Sequence, residues 1–98
     1  MNYTFKENQL DYETYYILRK SVKWNNWSRE QAEIALGNSY YTVTVFDNKV
    51  PIGMGRAVGD GIYFMIMDIV VKPEYQRMGI GSTIIHMLLE HIEKNMCV

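Results

Sequence analysis

An α+β fold with element order β-α-α-β-β-β-α is predicted by three observations on the sequence. Apolar residues recur at helical spacing in two stretches before residue 40. The period then shortens to two through runs joined by tight turns, and a step of four returns after Gly79. Tight turns between consecutive strands make the sheet largely antiparallel, with helices flanking it.

The elements follow in order. Asn2 to Phe5 is short and β-prone and reads as a first strand. Asp11 is placed as the N-cap of a helix reaching about Val22, with Glu13 in the first turn, where the helix dipole favours an acid. Tyr15, Leu18 and Val22 recur along it, as do Tyr12 and Tyr16. Ser28-Arg29-Glu30-Gln31 fits a capping box for a short helix carrying Ala32, Ile34, Ala35 and Leu36. Gly37 stands where a left-handed C-cap is wanted. Tyr41, Val43 and Val45 then alternate with Thr42 and Thr44, a strand with one buried face. Asp47-Asn48-Lys49 is a turn. Val50 to Val58 is the next strand, in which Gly53 and Gly55 either weaken pairing or admit a close approach. Gly59-Asp60-Gly61 makes a second hairpin, since glycine accepts positive φ. Ile62 to Val71 is an almost unbroken apolar run, the pattern of a central strand buried on both faces, and Pro73 ends it. Beyond Gly79, Ile80, Ile84, Leu88 and Ile92 step by four, with Ile85 and Leu89 widening the stripe. Asn95-Met96-Cys97-Val98 reads as the opening of another strand.

Composition narrows the function classes. A chain of 98 residues is expected to form one domain. A net charge of -1 gives no footing for nucleic acid, and the apolar runs are too short to span a bilayer. Met1 to Lys6 lacks a signal layout, so a cytoplasmic location is expected. The single cysteine, Cys97, makes neither an intramolecular disulfide nor a cysteine metal cluster, and no metal is expected. Met54, Met65 and Met67 read as core filler on strands. His86 and His91 read as surface or core-edge residues of the last helix.

The chemistry concentrates in Gln76-Arg77-Met78-Gly79-Ile80-Gly81. A strand enters a glycine-containing turn that opens a helix. The first amides of a helix lack internal partners, and the dipole is positive there, so the turn is a ready anion site. Gly79 and Gly81 admit a phosphate close to the backbone. Arg77 adds a charge, and Ser82 and Thr83 add hydroxyls. A Walker A loop needs a lysine that is absent, and the dinucleotide fingerprint fails because position 84 is Ile84. From the turn alone, a plain helix start remains open.

The wider segment Asp68-Ile69-Val70-Val71-Lys72-Pro73-Glu74-Tyr75-Gln76-Arg77-Met78-Gly79-Ile80-Gly81 closely resembles the central motif of the GNAT superfamily of N-acetyltransferases. The family core, Gln/Arg-x-x-Gly-x-Gly/Ala, is met by Gln76, Gly79 and Gly81. The resemblance implies an enzyme that uses acetyl-CoA as cosubstrate and transfers its acetyl group directly to a primary amine of a small molecule or peptide. It implies that Ile69, Val70 and Val71 hold the pantetheine arm as if it were an added strand. Backbone groups of Gln76, Arg77, Met78, Gly79, Ile80, Gly81 and Ser82 would hold the pyrophosphate. The amide near Ile69 would polarise the carbonyl. Asp68 is the general-base candidate: a lone carboxylate on an apolar strand is costly unless paired or functional, and in some members a carboxylate at the matching position is the base. The alternative is that Asp68 only holds structure. Trp24 and Trp27 lie in the segment that lines the family's acceptor pocket, and either shape that pocket or fill core.

The family pattern continues with a further strand, a helix and a closing hairpin beyond this sequence, so a single truncated domain is expected. A long apolar edge strand would remain, predicting self-association into a homo-oligomer. A catalytically impaired CoA-binding or interaction module, and an unrelated α+β domain, are the competing readings.

Overall fold

The computed structural model of the chain describes residues 3–95. The strand expected to open near Met96, and Cys97, lie outside them. The elements are β1 Tyr3–Glu7, α1 Tyr12–Ser21, α2 Arg29–Gly37, β2 Tyr41–Asp47, β3 Val50–Gly59, β4 Phe64–Val71 and α3 Ile80–Asn95, in the predicted order. The strands form one antiparallel sheet in the order β1-β2-β3-β4. Asp11 accepts from the Thr14 amide and Ser28 from the Gln31 amide, so both expected N-caps form. Gly37 is not the cap of α2. It is the last helical residue, and Asn38 closes the helix at φ −95° by donating to the Ile34 and Ala35 carbonyls, so no left-handed residue is needed.

Helices cover both faces of the sheet. Ile80, Ile84, Leu88 and Ile92 of α3 pack on Tyr41, Val43, Val45, Ile52 and Ala57. On the other face, Tyr15 and Leu18 of α1 and Ala32 of α2 meet Met54 and Val70. Gly55 is what lets α3 approach: a Cβ there would lie 2.5 Å from Ile84 and 2.6 Å from Ile69.

Two strand expectations are corrected. β2 is buried on both faces from Tyr41 to Val45: Thr44 lies beside Met54, which packs with Tyr15 and Leu18 of α1 and Ala32 of α2. β4, expected to be central, is an edge strand, and Met65 and Met67 on it are exposed, so only Met54 of the three methionines is core. An apolar run reports what a strand is able to bury. Covering β4 would need another strand beyond it, and the described residues supply none. It also begins at Phe64 rather than Ile62, because Asp60 holds the amides of Ile62 and Tyr63 in the turn.

Candidate active site at β4 and the start of α3

A bulge in β4 builds the first half of the site. Arg56 pairs with Met67 and Met54 with Val70, so Gly55 alone faces both Asp68 and Ile69. Asp68 adopts φ 55°, a left-handed conformation that aspartate tolerates better than most residues. The extra residue resets the alternation. Phe64 and Ile66 before it, and Ile69 and Val71 after it, all pack with the α3 core.

Asp68 is not the lone carboxylate expected from sequence. It accepts from Arg19 Nη1 at 2.6 Å, Arg56 Nε at 2.7 Å and Tyr15 Oη at 3.2 Å. Exposure of the Arg19, Arg56 and Asp68 side chains is 12, 10 and 8%, so this is a buried cluster. Burial, and then the Asp68 charge, push the Tyr15 hydroxyl above the ordinary tyrosine range and keep it a donor. Arg19 is fixed further by the Asn25 carbonyl and lies over the Trp24 ring, 5.1 Å from its centroid. Neither arginine was singled out from the sequence. The signal was present in Arg56, a lone charge within the apolar run of β3.

Two clefts adjoin the cluster. One of about 270 Å³ is bounded by Tyr15, Arg19, Trp27, Arg56, Met67 and Asp68. The other, of about 650 Å³, runs from Arg19 and Lys23 along Trp24 to Trp27. They share Arg19 and Trp27. Both tryptophans are well exposed and form cleft wall rather than core.

The second half is the turn before α3. Arg77 and Gly79 take φ 67° and 80°. The Thr83 amide donates to the Gly79 carbonyl at 3.0 Å, which puts Gly79 at the N-cap and leaves the amides of Ile80, Gly81 and Ser82 ahead of the helical ladder. Gly79 has no side chain to cap them. A groove of about 250 Å³ runs over this turn, lined by Val71, Gln76, Arg77, Gly79, Gly81 and Ser82. A Cβ on Gly79 would meet nothing within 4 Å, and one on Gly81 only Val71 at 3.8 Å. The turn is anchored by Tyr75 Oη, which donates to Asp47 at 2.6 Å.

Of the residues expected to hold the pantetheine arm, Val70 is corrected: it falls out of line with Ile69 and Val71. Lys72 donates its amide inward to Ile52, so by antiparallel alternation Val71 and Ile69 turn their backbone groups to the free edge and Val70 turns to β3. The Gln76 side chain donates to the Val71 carbonyl at 3.0 Å and ties the turn to that edge. The histidines stand apart: His86 is exposed and His91 stacks on Tyr41 at 3.7 Å. Among the described residues no group of three or more His, Cys, Asp or Glu is placed to hold a metal. No helix among them is long and apolar enough to cross a membrane.

Comparison with known proteins decides the ancestry of this layout. The model of the acetyltransferase (GNAT) family matches residues 3–98. The chain belongs to that family. Uncharacterized N-acetyltransferase ycf52 of Pyropia yezoensis is 30% identical over 79 residues, which are 76% of this GNAT chain and 45% of that protein. The chain therefore spans about half the length of the curated relatives it matches. A probable acetyltransferase from meticillin-resistant Staphylococcus aureus superposes with a TM-score of 0.88 at 35% identity, covering 95% of this chain and 71% of that one. PaiA N-acetyltransferase from Thermoplasma acidophilum, solved in complex with coenzyme A, shares the fold at a TM-score of 0.75 and 17% identity, over 96% of this chain and 74% of that one. GNAT family members use acetyl-CoA.

Proposed function

We propose that this chain carries the coenzyme-binding part of an acetyl-CoA-dependent N-acetyltransferase that acetylates a primary amine by direct attack. The observation that carries the reading is the start of α3. Three amides with no helical partner stand at the positive end of a 16-residue helix, beside the exposed Arg77, with two glycines keeping the approach clear. The pyrophosphate lies on those amides, and the pantetheine arm pairs with the outward backbone groups of Ile69 and Val71. The thioester then reaches the Asp68–Ile69 bulge. The amine nitrogen attacks the carbonyl carbon, and the oxyanion is held by backbone N–H at the bulge. The C–S bond breaks, coenzyme A leaves as the thiolate, and the proton shed by the attacking nitrogen ends on that sulfur, giving a neutral amide and the free thiol.

We assign Asp68 a positioning role in place of the base role read from sequence. Its two oxygens already serve three donors, which fixes it as the counter-charge that shapes the bulge. The same saturation favours the second reading, a coenzyme-binding module without turnover. Titration calorimetry with acetyl-CoA tests the coenzyme site. Gly81→Trp, which fills the groove without backbone strain, is expected to abolish binding; unchanged affinity would sink the pyrophosphate assignment. A thiol-release assay over a panel of amines separates enzyme from module. We further propose that two copies pair through the β4 edge. Acetyl-CoA would then compete with pairing, and a clean monomer by sedimentation without ligand would exclude it.

A further inference from the structure

We infer that the amine acceptor bears a carboxylate of its own, in the manner of a free amino acid. The inference rests on the acetyl-transfer reading and names the chemistry of its second substrate. It begins with charge. The joined clefts are lined by three cations, Arg19, Lys23 and Arg56, and one anion, Asp68. Within the buried cluster the single charge of Asp68 is shared between two guanidiniums, which leaves one positive charge over. Buried charge is strongly unfavourable without a partner, so the surplus marks where an anion is welcome.

The donors locate that surplus. Every nitrogen of Arg19 has a partner, Nη1 on Asp68 and both Nε and Nη2 on the Asn25 carbonyl. Arg56 gives Nε to Asp68 and Nη1 to Ser39 Oγ at 3.2 Å. At 3.5 Å it also reaches the Ala35 carbonyl, in the last turn of α2, which offsets part of its charge. Arg56 Nη2 has no protein acceptor among the described residues. Arg56 lines the smaller cleft beside Asp68, next to the bulge that receives the thioester. A guanidinium nitrogen with unused protons, on a side chain only 10% exposed, is a strong receptor for carboxylate. A carboxylate seated there leaves the neighbouring amine facing the bulge. Trp24 and Trp27, 43 and 58% exposed, offer surfaces for an apolar side chain. A polyamine or aminoglycoside would instead set its ammonium groups against three cations, with the one carboxylate already bound.

Trp24 and Trp27 are the only tryptophans of the chain, so intrinsic fluorescence reports on this cleft. Phenylalanine and phenethylamine, or leucine and isoamylamine, differ only in the carboxylate. Each would be titrated into the protein with and without saturating coenzyme A. The carboxylate-bearing member of each pair is expected to bind at least ~10-fold more tightly, the scale of a hydrogen-bonded charge pair. Arg56→Met should erase that preference. Because Arg56→Met also strips a partner from Asp68, the wild-type comparison is the deciding one. Lys23→Ala, exposed at the cleft mouth, should narrow the preference without touching the buried cluster. Equal or absent binding of the carboxylate-bearing amines, or tighter binding of spermidine, overturns the inference. Failure of the acetyl-transfer reading looks different: coenzyme A does not bind and no amine releases thiol, while amino-acid binding measured without coenzyme A persists.

Discussion

At the Asp68 bulge, donors converge on an anion that the chain itself supplies: two guanidiniums and a phenol close on one carboxylate. At the start of α3 they converge on none. The helices repeat the contrast. Asp11 caps α1 and Ser28 caps α2 with side-chain oxygens, whereas the N-cap of α3 is Gly79, which has no side chain to offer. Every helix leaves its first amides without internal partners. The sequence caps one of them at each of two helices and withholds a side-chain acceptor at the third, the end where we propose that a ligand sits. The difference teaches that a candidate binding site is legible as an omission among capped neighbours.

The comparison breaks most violently at Asp68. Asp68→Asn keeps the shape and removes the charge, leaving two guanidiniums buried against each other. A loss of about 3–5 kcal/mol in urea unfolding is expected. If Asp68 is also the base, the rate falls ~10²–10⁴-fold as well, with a lost limb in its pH profile. The capped helices sharpen the contrast from the other side. Asp11→Ala and Ser28→Ala should each cost about 1 kcal/mol of stability and leave coenzyme affinity unchanged by calorimetry. The smallest effect is in alkali. The Tyr15 hydroxyl titrates above 10.0 in the fold, raised by burial and by Asp68, and Tyr41 is raised in the same direction by burial and its bond to Glu7. Above about pH 10 the unfolded chain releases these protons and the fold retains them. Stability is therefore full below pH 10 and declines as pH rises beyond it. Tyr15→Phe and Tyr41→Phe should flatten that decline in thermal melts.

Much of this was legible in the sequence because it is local. The caps at Asp11 and Ser28, the four-step stripe of α3 and the open turn at Gly79 need only neighbours a few residues away. What escaped depends on distant partners. The alternation of Tyr41 to Val45 says nothing of what buries Thr42 and Thr44, and the apolar run of β4 says nothing of what covers it. The bulge at Asp68 hides because one extra residue leaves the composition of a strand unchanged while turning its faces over. The cluster escaped for the same reason: Arg19, Arg56 and Asp68 are far apart in sequence and meet only once α1 lies on the sheet.

The central claim is that the unfilled donors at α3 hold a pyrophosphate. Ser82 supplies one of the three free amides, and Ser82→Asp places an acid over the groove while favouring the helix by about 0.3–1 kcal/mol. Titration calorimetry with coenzyme A and with phosphate-free pantetheine, on the wild type and on Ser82→Asp, is the direct measurement. The expected result is coenzyme A affinity reduced by roughly 10-fold or more, with pantetheine affinity unchanged. Equal coenzyme A affinity in the two proteins would contradict the account.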